Sequence, residues 1–99
     1  ALLADKLPAE QAAAWGLIWA VHDDAVFGSE VDALAARLAA MPTKALVRTR
    51  QLMQAAPTHT LEQQLAMEGG FMRELGRSAD YVEGVSAFLD KRAPRFTGA

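Results

Sequence analysis

Apolar residues recur along most of the chain at the three- and four-residue spacing of amphipathic helices, with Pro and Gly as punctuation. Ala1 to Lys6 reads as the closing turns of a helix that begins upstream. Pro8 sets up a short helix through Ala9–Ala14, because Pro suits a first helical turn, and Gly16 supplies a left-handed stop. Leu17-Ile18-Trp19-Ala20-Val21 lacks the helical period and is expected to be an extended, buried connector. With Trp15 it carries more apolar surface than such a connector can hide by itself.

Ser29 and Asp32 have the spacing of a capping box, which predicts a helix start there, with Val31, Leu34, Ala35 and Leu38 on one face and Pro42 as the stop. A helix is expected from about Thr43 to Ala55, with Leu46, Thr49, Leu52, Met53 and Ala56 facing inward. Lys44, Arg48 and Arg50 make its outer side basic. Pro57 ends it, and Thr58 or Thr60 caps the next helix, which carries Leu61, Leu65, Phe71, Met72 and Leu75 as far as Leu75. Gly69-Gly70 inside it cost about 1 kcal/mol each relative to Ala, which implies close packing against another element. The last helix is expected from Ser78 to Lys91-Arg92, ahead of Pro94. Its apolar face is Val82, Val85, Phe88 and Leu89, Gly84 marks a close contact, and Asp80 suits the dipole at its start. No strand pair or repeat is evident, so the chain as present is expected to be all-α.

Composition sharpens this picture. Of the 99 residues, 52% are hydrophobic and 22% charged, and a domain this short has little interior in which to bury the excess. Some apolar surface should therefore face a partner. A net charge of −2 gives no basic surface for nucleic acid or an anionic membrane. The Lys44/Arg48/Arg50 face lacks neighbouring polar residues suited to reading bases. The absence of Cys removes disulfides, thiolate metal sites and Cys nucleophiles, and fits a reducing, cytoplasmic setting. No apolar run approaches the roughly 20 residues that span a bilayer. The first residues, Ala1-Leu2-Leu3, show neither an initiating Met nor a basic leader, so the chain is expected to start partway through a longer protein.

Candidate chemistry is sparse. His22 and His59 stand apart from any nucleophile or ligand spacing and are expected in exposed loops. Asp23-Asp24 has no evident third ligand and reads as a solvated turn, so no metal site is expected. Glu62 and Glu74 read as helix surface charges. Glu68, set among Leu65, Met67 and Met72, is the carboxylate most open to an interior or interface role. Phosphate-cradling glycine motifs are absent, and spacing alone assigns no reaction.

Two segments carry a further signal. One is Leu7-Pro8-Ala9-Glu10-Gln11-Ala12 followed by Trp15-Gly16-Leu17-Ile18 and Val21. The other is Ser78-Ala79-Asp80-Tyr81-Val82-Glu83-Gly84-Val85 with Ala87-Phe88, Lys91-Arg92, Pro94, Phe96 and Gly98. Between them lie Leu38, Pro42, Ala45, Leu46 and Glu68. In this order they resemble the C-terminal region of the enoyl-CoA hydratase/isomerase (crotonase) family. The Trp-Gly-Leu-Ile-Trp-Ala-Val stretch with Asp23-Asp24 looks most like the branch that isomerises 1,2-epoxyphenylacetyl-CoA in phenylacetate degradation.

The resemblance implies a helical trimerisation region of a crotonase fold whose ββα spiral core is not in this sequence. Residues 1–27 would be the end of a core helix, a short helix and the connector, and residues 28–99 the trimerisation helices. In the family, the core binds CoA, supplies an oxyanion hole for a thioester enolate, and carries the catalytic carboxylates. No catalytic residue is therefore expected here, and no cofactor beyond acyl-CoA as substrate. The family's final helix reaches the CoA site, often that of the adjacent subunit. By that resemblance Phe88 would pack near the adenine and Lys91 would meet the nucleotide phosphate, with Arg92 as a further phosphate or surface contact. The plainer alternative makes Phe88 core and Lys91 a charge at a helix C-terminus. By the same resemblance Trp15 or Trp19 would border the acyl pocket; the plainer alternative is that they fill the seam between core and helical region, and Phe71 is a further residue singled out there. Partners implied are further copies of the chain, as a trimer or hexamer. A free-standing helical interaction module without catalysis is the competing class.

Overall fold

A computed structural model describes residues 4–99, and every regular element among them is helical: α1 (Ala9–Ala14), α2 (Asp24–Ala39), α3 (Thr43–Ala55), α4 (Leu61–Leu75) and α5 (Ala79–Leu89). The all-α expectation is met. The chain divides into two compact units, Ala1–Leu34 and Ala35–Ala99. Of the helix end expected over Ala1 to Lys6, Ala1, Leu2 and Leu3 lie outside the described residues. Ala4, Asp5 and Lys6 are not helical, and Ala4 has a φ of 56° that a right-handed helix cannot continue through.

In the first unit, α1 starts after Pro8 and stops in a Schellman turn. Gly16 adopts a φ of 73°, its N–H donates to the Ala13 carbonyl, and the Leu17 N–H donates to the Ala12 carbonyl. The Leu17–Val21 connector is non-helical as expected but not buried: Trp15, Leu17 and Trp19 are each at least 70% exposed. The apolar surface too large for the connector to hide is thus uncovered within this chain. The start of α2 also differs. The Asp23 carbonyl accepts the first helical N–H groups, from Val26 and Phe27, so the helix begins five residues before Ser29. Ser29 instead turns its hydroxyl back to donate to the Val26 carbonyl at 2.8 Å. The Ser29/Asp32 spacing mimicked a cap inside a helix already under way.

The second unit is organised by two joints. The first packs α3 against α4. Thr60 caps α4 with a reciprocal box, its hydroxyl accepting from the Gln63 N–H while the Gln63 side chain accepts from the Thr60 N–H. Across the turn, Gln64 donates to the Leu52 carbonyl and its carboxamide oxygen meets His59 Nδ1, which ties the corner together and half-buries His59 rather than leaving it free. Of the residues expected to face inward on these two helices, Leu46, Leu52, Phe71 and Leu75 are half-buried, and the rest stand outward. Lys44, Ala45, Arg48, Gln51, Leu52 and Ala55 form the covered side of α3, whereas Thr49, Met53 and Ala56 are exposed. On α4 the covered side carries Gln64, Met67, Phe71, Glu74 and Leu75, and Leu61, Leu65 and Met72 stand outward with Glu68 among them. The Gly69-Gly70 pair has no tight neighbour: a Cβ at Gly70 would meet nothing within 4 Å, and one at Gly69 would meet only the Arg73 side chain at 3.5 Å.

The second joint fastens the C-terminal segment to α5. Ser78 caps the helix, its hydroxyl accepting from the Tyr81 N–H. Asp80, Glu83, Gly84 and Ala87 form the covered stripe at helical spacing, with Asp80 and Ala87 buried. The expected apolar face is the exposed one, and Val82, Val85, Phe88 and Leu89 all stand uncovered. Gly84 does mark an approach, since a Cβ there would sit 3.5 Å from the Phe96 ring. The helix ends at Leu89 rather than at Lys91-Arg92, again in a Schellman turn. The Lys91 N–H donates to Phe88 and the Arg92 N–H to Ala87. Here the left-handed position falls to Lys91, at a φ of 53°, where α1 uses glycine. A side chain in that conformation costs roughly 1–2 kcal/mol.

Candidate functional site

The stripe Asp80, Glu83, Gly84, Ala87 carries two acids on one side of α5, and the residues that follow the helix fold back over it. Asp80, 5% exposed, has both carboxylate oxygens in use. Oδ1 accepts from the Thr97 N–H at 2.7 Å and from its hydroxyl at 3.4 Å, and Oδ2 accepts from the Gly98 N–H at 2.9 Å. The Asp80 N–H in turn donates to the Ala99 carbonyl at 3.1 Å. One turn on, Glu83 receives the Arg92 guanidinium as a two-pronged fork, Nη1 to Oε1 at 2.6 Å and Nη2 to Oε2 at 2.9 Å. Its Oε1 also accepts from the Arg95 N–H at 2.7 Å. The Arg92 hydrogen bonds, helped by the Arg95 N–H, hold the Glu83 carboxyl at about 2, well below its ordinary 4.5. The same fork raises the Arg92 guanidinium further above its ordinary value.

On its other side α5 borders an open, almost wholly apolar groove of about 480 Å³, lined by Ala45, Leu75, Tyr81, Val85, Phe88 and Phe96 among others. Lys44 also borders this groove, with its Nζ 3.4 Å from Glu74 Oε1. Glu74 takes a second cation, Arg48, at 2.8 Å, and the Arg48 guanidinium lies 4.8 Å over the Phe71 ring. That hydrogen bond from Arg48, with Lys44 beside it, keeps Glu74 below the usual carboxylate range. Glu74 and Arg48 were expected as surface charges. They are half-buried partners across α3 and α4, and Arg48 faces inward from what was to be the basic outer side. Phe71 is thereby placed in the α3–α4 joint. Its partner could have been sought in the i, i+4 cations Lys44 and Arg48, whose spacing puts two positive charges on one face.

Of the two residues singled out for ligand contact, Phe88 is 82% exposed at the groove. Lys91 is exposed two residues beyond the end of α5, in its left-handed turn, and does not line the groove. Arg92 is committed to Glu83 and, more weakly, to Asp90 at 3.4 Å. Trp15 and Trp19 are exposed in the first unit, and His22, Asp23 and Asp24 have exposed side chains there. Among the described residues no three His, Asp or Glu side chains gather as metal ligands would, and no helix is long and apolar enough to cross a membrane.

The helical arrangement is shared with known proteins. The profile described as enoyl-CoA hydratase/isomerase matches residues 1–99. The chain belongs to the enoyl-CoA hydratase/isomerase family. It is 51% identical over 98 residues to the 1,2-epoxyphenylacetyl-CoA isomerase of Escherichia coli (strain K12), covering 99% of this chain and 37% of that protein. A solved structure from Mycobacterium abscessus, assigned as an enoyl-CoA hydratase/isomerase, superposes with a TM-score of 0.92 at 34% identity, over 99% of this chain and 38% of that one. An enoyl-CoA hydratase from Polaromonas sp. JS666 gives a TM-score of 0.88 at 30% identity, over 94% and 36%. The chain thus spans little more than a third of the length of these family members, and matches a helical part of them.

Proposed function

We propose that this chain is the C-terminal part of an acyl-CoA-processing enzyme, a hydratase or isomerase that works through an enolate held in an oxyanion hole. In this reading the chain itself supplies self-association surface and part of the CoA site, and contributes no catalytic residue. The observation that carries it is the family match along the whole chain, together with 51% identity to an epoxyphenylacetyl-CoA isomerase. That relative favours a CoA thioester of an aromatic acid, in phenylacetate degradation, as the substrate and a cytoplasmic setting. The enzyme needs no cofactor beyond the thioester. Phe88 packs on the adenine of CoA, its own subunit's or a neighbour's, and Lys91 meets the nucleotide phosphate as a point charge. An 82% exposed Phe at an apolar groove is the kind of surface a planar base covers, and an exposed Lys in a fixed turn is free to pair with phosphate.

Self-association, as a trimer or hexamer, is supported by the outward apolar faces. Leu61, Leu65 and Met72 on α4 are exposed at helical spacing, and so are Val82, Val85 and Leu89 on α5. The test of the ligand role compares a CoA thioester with the matching pantetheine thioester, which lacks the nucleotide. Lys91→Ala in the full chain is expected to raise the KM for the CoA substrate selectively. Equal effects on both substrates reject the phosphate contact. The self-association role is tested by sedimentation: Leu65→Glu is expected to lower the assembly size, and an unchanged assembly removes α4 from the interface.

A further inference from the structure

The Schellman turn that ends α5 puts Lys91 in left-handed backbone, although Gly16 shows that this chain uses glycine where the same turn stands alone. Something must hold the lysine in that conformation. The residue immediately after it, Arg92, is forked onto both oxygens of Glu83, and Glu83 Oε1 also fixes the Arg95 N–H. Glu83 lies two turns back on α5, a rigid element, and its carboxylate is half-buried under the returning chain. The anchor therefore sits on the helix, the fork reaches the residue beside Lys91, and the turn between them has little freedom left.

We infer that Glu83 is a positioning residue for Lys91: by gripping Arg92 it keeps the lysine in its left-handed turn, aimed where the proposed phosphate contact is made. This rests on the proposed CoA role of Lys91 and adds the device that sets its direction. Glu83 touches no ligand. Its effect reaches the ligand only through the backbone of residues 90–92, so it should matter for substrates that carry the nucleotide phosphate and not for those that lack it.

The experiment is a double-mutant cycle in the full-length protein, read as the ratio of kcat/KM for a CoA thioester to that for the matching pantetheine thioester. Lys91→Ala is expected to lower this ratio about fivefold, the size of one solvent-exposed charge contact. Glu83→Gln keeps the shape but loses the charge, and is expected to lower the ratio about threefold. In the double variant the ratio should fall no further than in Lys91→Ala alone. If Glu83→Gln does not fold, Arg92→Lys, which keeps the charge but loses the fork, takes its place with the same expectation. A ratio unmoved by Glu83→Gln while Lys91→Ala lowers it overturns the positioning role and leaves the ligand role standing. Losses that multiply in the double variant also overturn it, because Glu83 would then act independently of Lys91. A ratio unmoved by Lys91→Ala overturns the ligand role itself.

Discussion

Replacing Asp80 by Asn should loosen the C-terminal fastening more than any other change of so few atoms. The carboxylate is 5% exposed, and its two oxygens accept from two successive backbone N–H groups, Thr97 at 2.7 Å and Gly98 at 2.9 Å. An asparagine offers one oxygen and one NH2, so in either orientation a backbone donor faces another donor. A hydrogen bond to a charged group contributes roughly 1.5–3 kcal/mol, and a neutral one about 1 kcal/mol. Losing one charged bond and neutralising the other therefore costs about 2–5 kcal/mol. That is an upper bound, because the chain end can swing out and find water. A domain of this size holds on the order of 5–15 kcal/mol in all, so the loss is large.

Urea unfolding followed by far-UV circular dichroism measures the total. Amide exchange at Thr97 and Gly98 reports whether the segment lifts off before the helices melt. Two results fit: a lower unfolding midpoint with faster exchange throughout, or fast exchange confined to the last residues with the helices intact. If Asp80→Asn unfolds within about 0.5 kcal/mol of the parent and both amides stay protected, the two hydrogen bonds do not hold the segment.

Three further changes test other parts of the structure. Lys91→Gly removes the left-handed strain and should raise stability by about 1 kcal/mol in thermal melting; a fall would mean the turn does not strain the lysine. Gly84→Ala should be tolerated or gain up to about 1 kcal/mol, because the new Cβ meets the Phe96 ring at an ordinary 3.5 Å and alanine favours the helix; a marked loss would show the ring cannot accept even one methyl. Glu83 titrates at about 2 instead of its ordinary 4.5, so its ion pair adds stability that is fully present above 4.5 and lost as pH falls through about 2. Glu83→Gln should flatten the stability curve between those two pH values, and an unaltered acid limb would place the titration elsewhere.

Helix existence was largely legible along the chain, because it rests on local signals that tertiary context rarely overrides. Pro42 and Pro57 bracket α3, and Thr60 with Gln63 caps α4. Orientation was not. Each helix was expected to turn its most apolar face toward the rest of the chain; α5 does the reverse, with Val82, Val85 and Leu89 outward, and α4 does so in part, with Leu61, Leu65 and Met72 outward but Phe71 and Leu75 half-buried. The signal for the covered side was present in a form periodicity overlooks. Asp80, Glu83, Gly84 and Ala87 repeat at the same helical spacing as the greasy stripe, and acids interleaved with small residues mark a face that receives backbone at close range. The helix dipole and the family motif account for Asp80 and Glu83 in sequence terms, and neither points to the N–H groups of the returning segment that the two carboxylates satisfy. The start of α2 failed for a different reason. The Asp23 carbonyl opens the helix, and the serine five residues after Asp24 carries a stronger cap signature than the true start.

The same reversal explains why the internal joints are polar. A helix that turns its apolar face away from its own chain must fasten its other face by different means, and both joints of the second unit use charge. Glu74 bridges Lys44 and Arg48 between α4 and α3; Asp80 and Glu83 receive the last residues on α5. Polar joints of this kind fix geometry through direction rather than through area, because each bond requires a particular donor at a particular place. Apolar faces require only contact and water exclusion. The division suits the proposed role: precise polar fastening within the chain presents α5 and the Lys91 turn in one pose, while the uncovered apolar stripes supply the area by which copies would associate. It also sets an order of sensitivity. Charge-neutralising changes at Asp80 or Glu83 should alter the pose of the C-terminal segment before they alter assembly, and polar changes at Leu65 should alter assembly before they alter the pose. An Asp80→Asn protein that loses its assembly while Thr97 and Gly98 remain protected would show that the two functions are not divided between these faces.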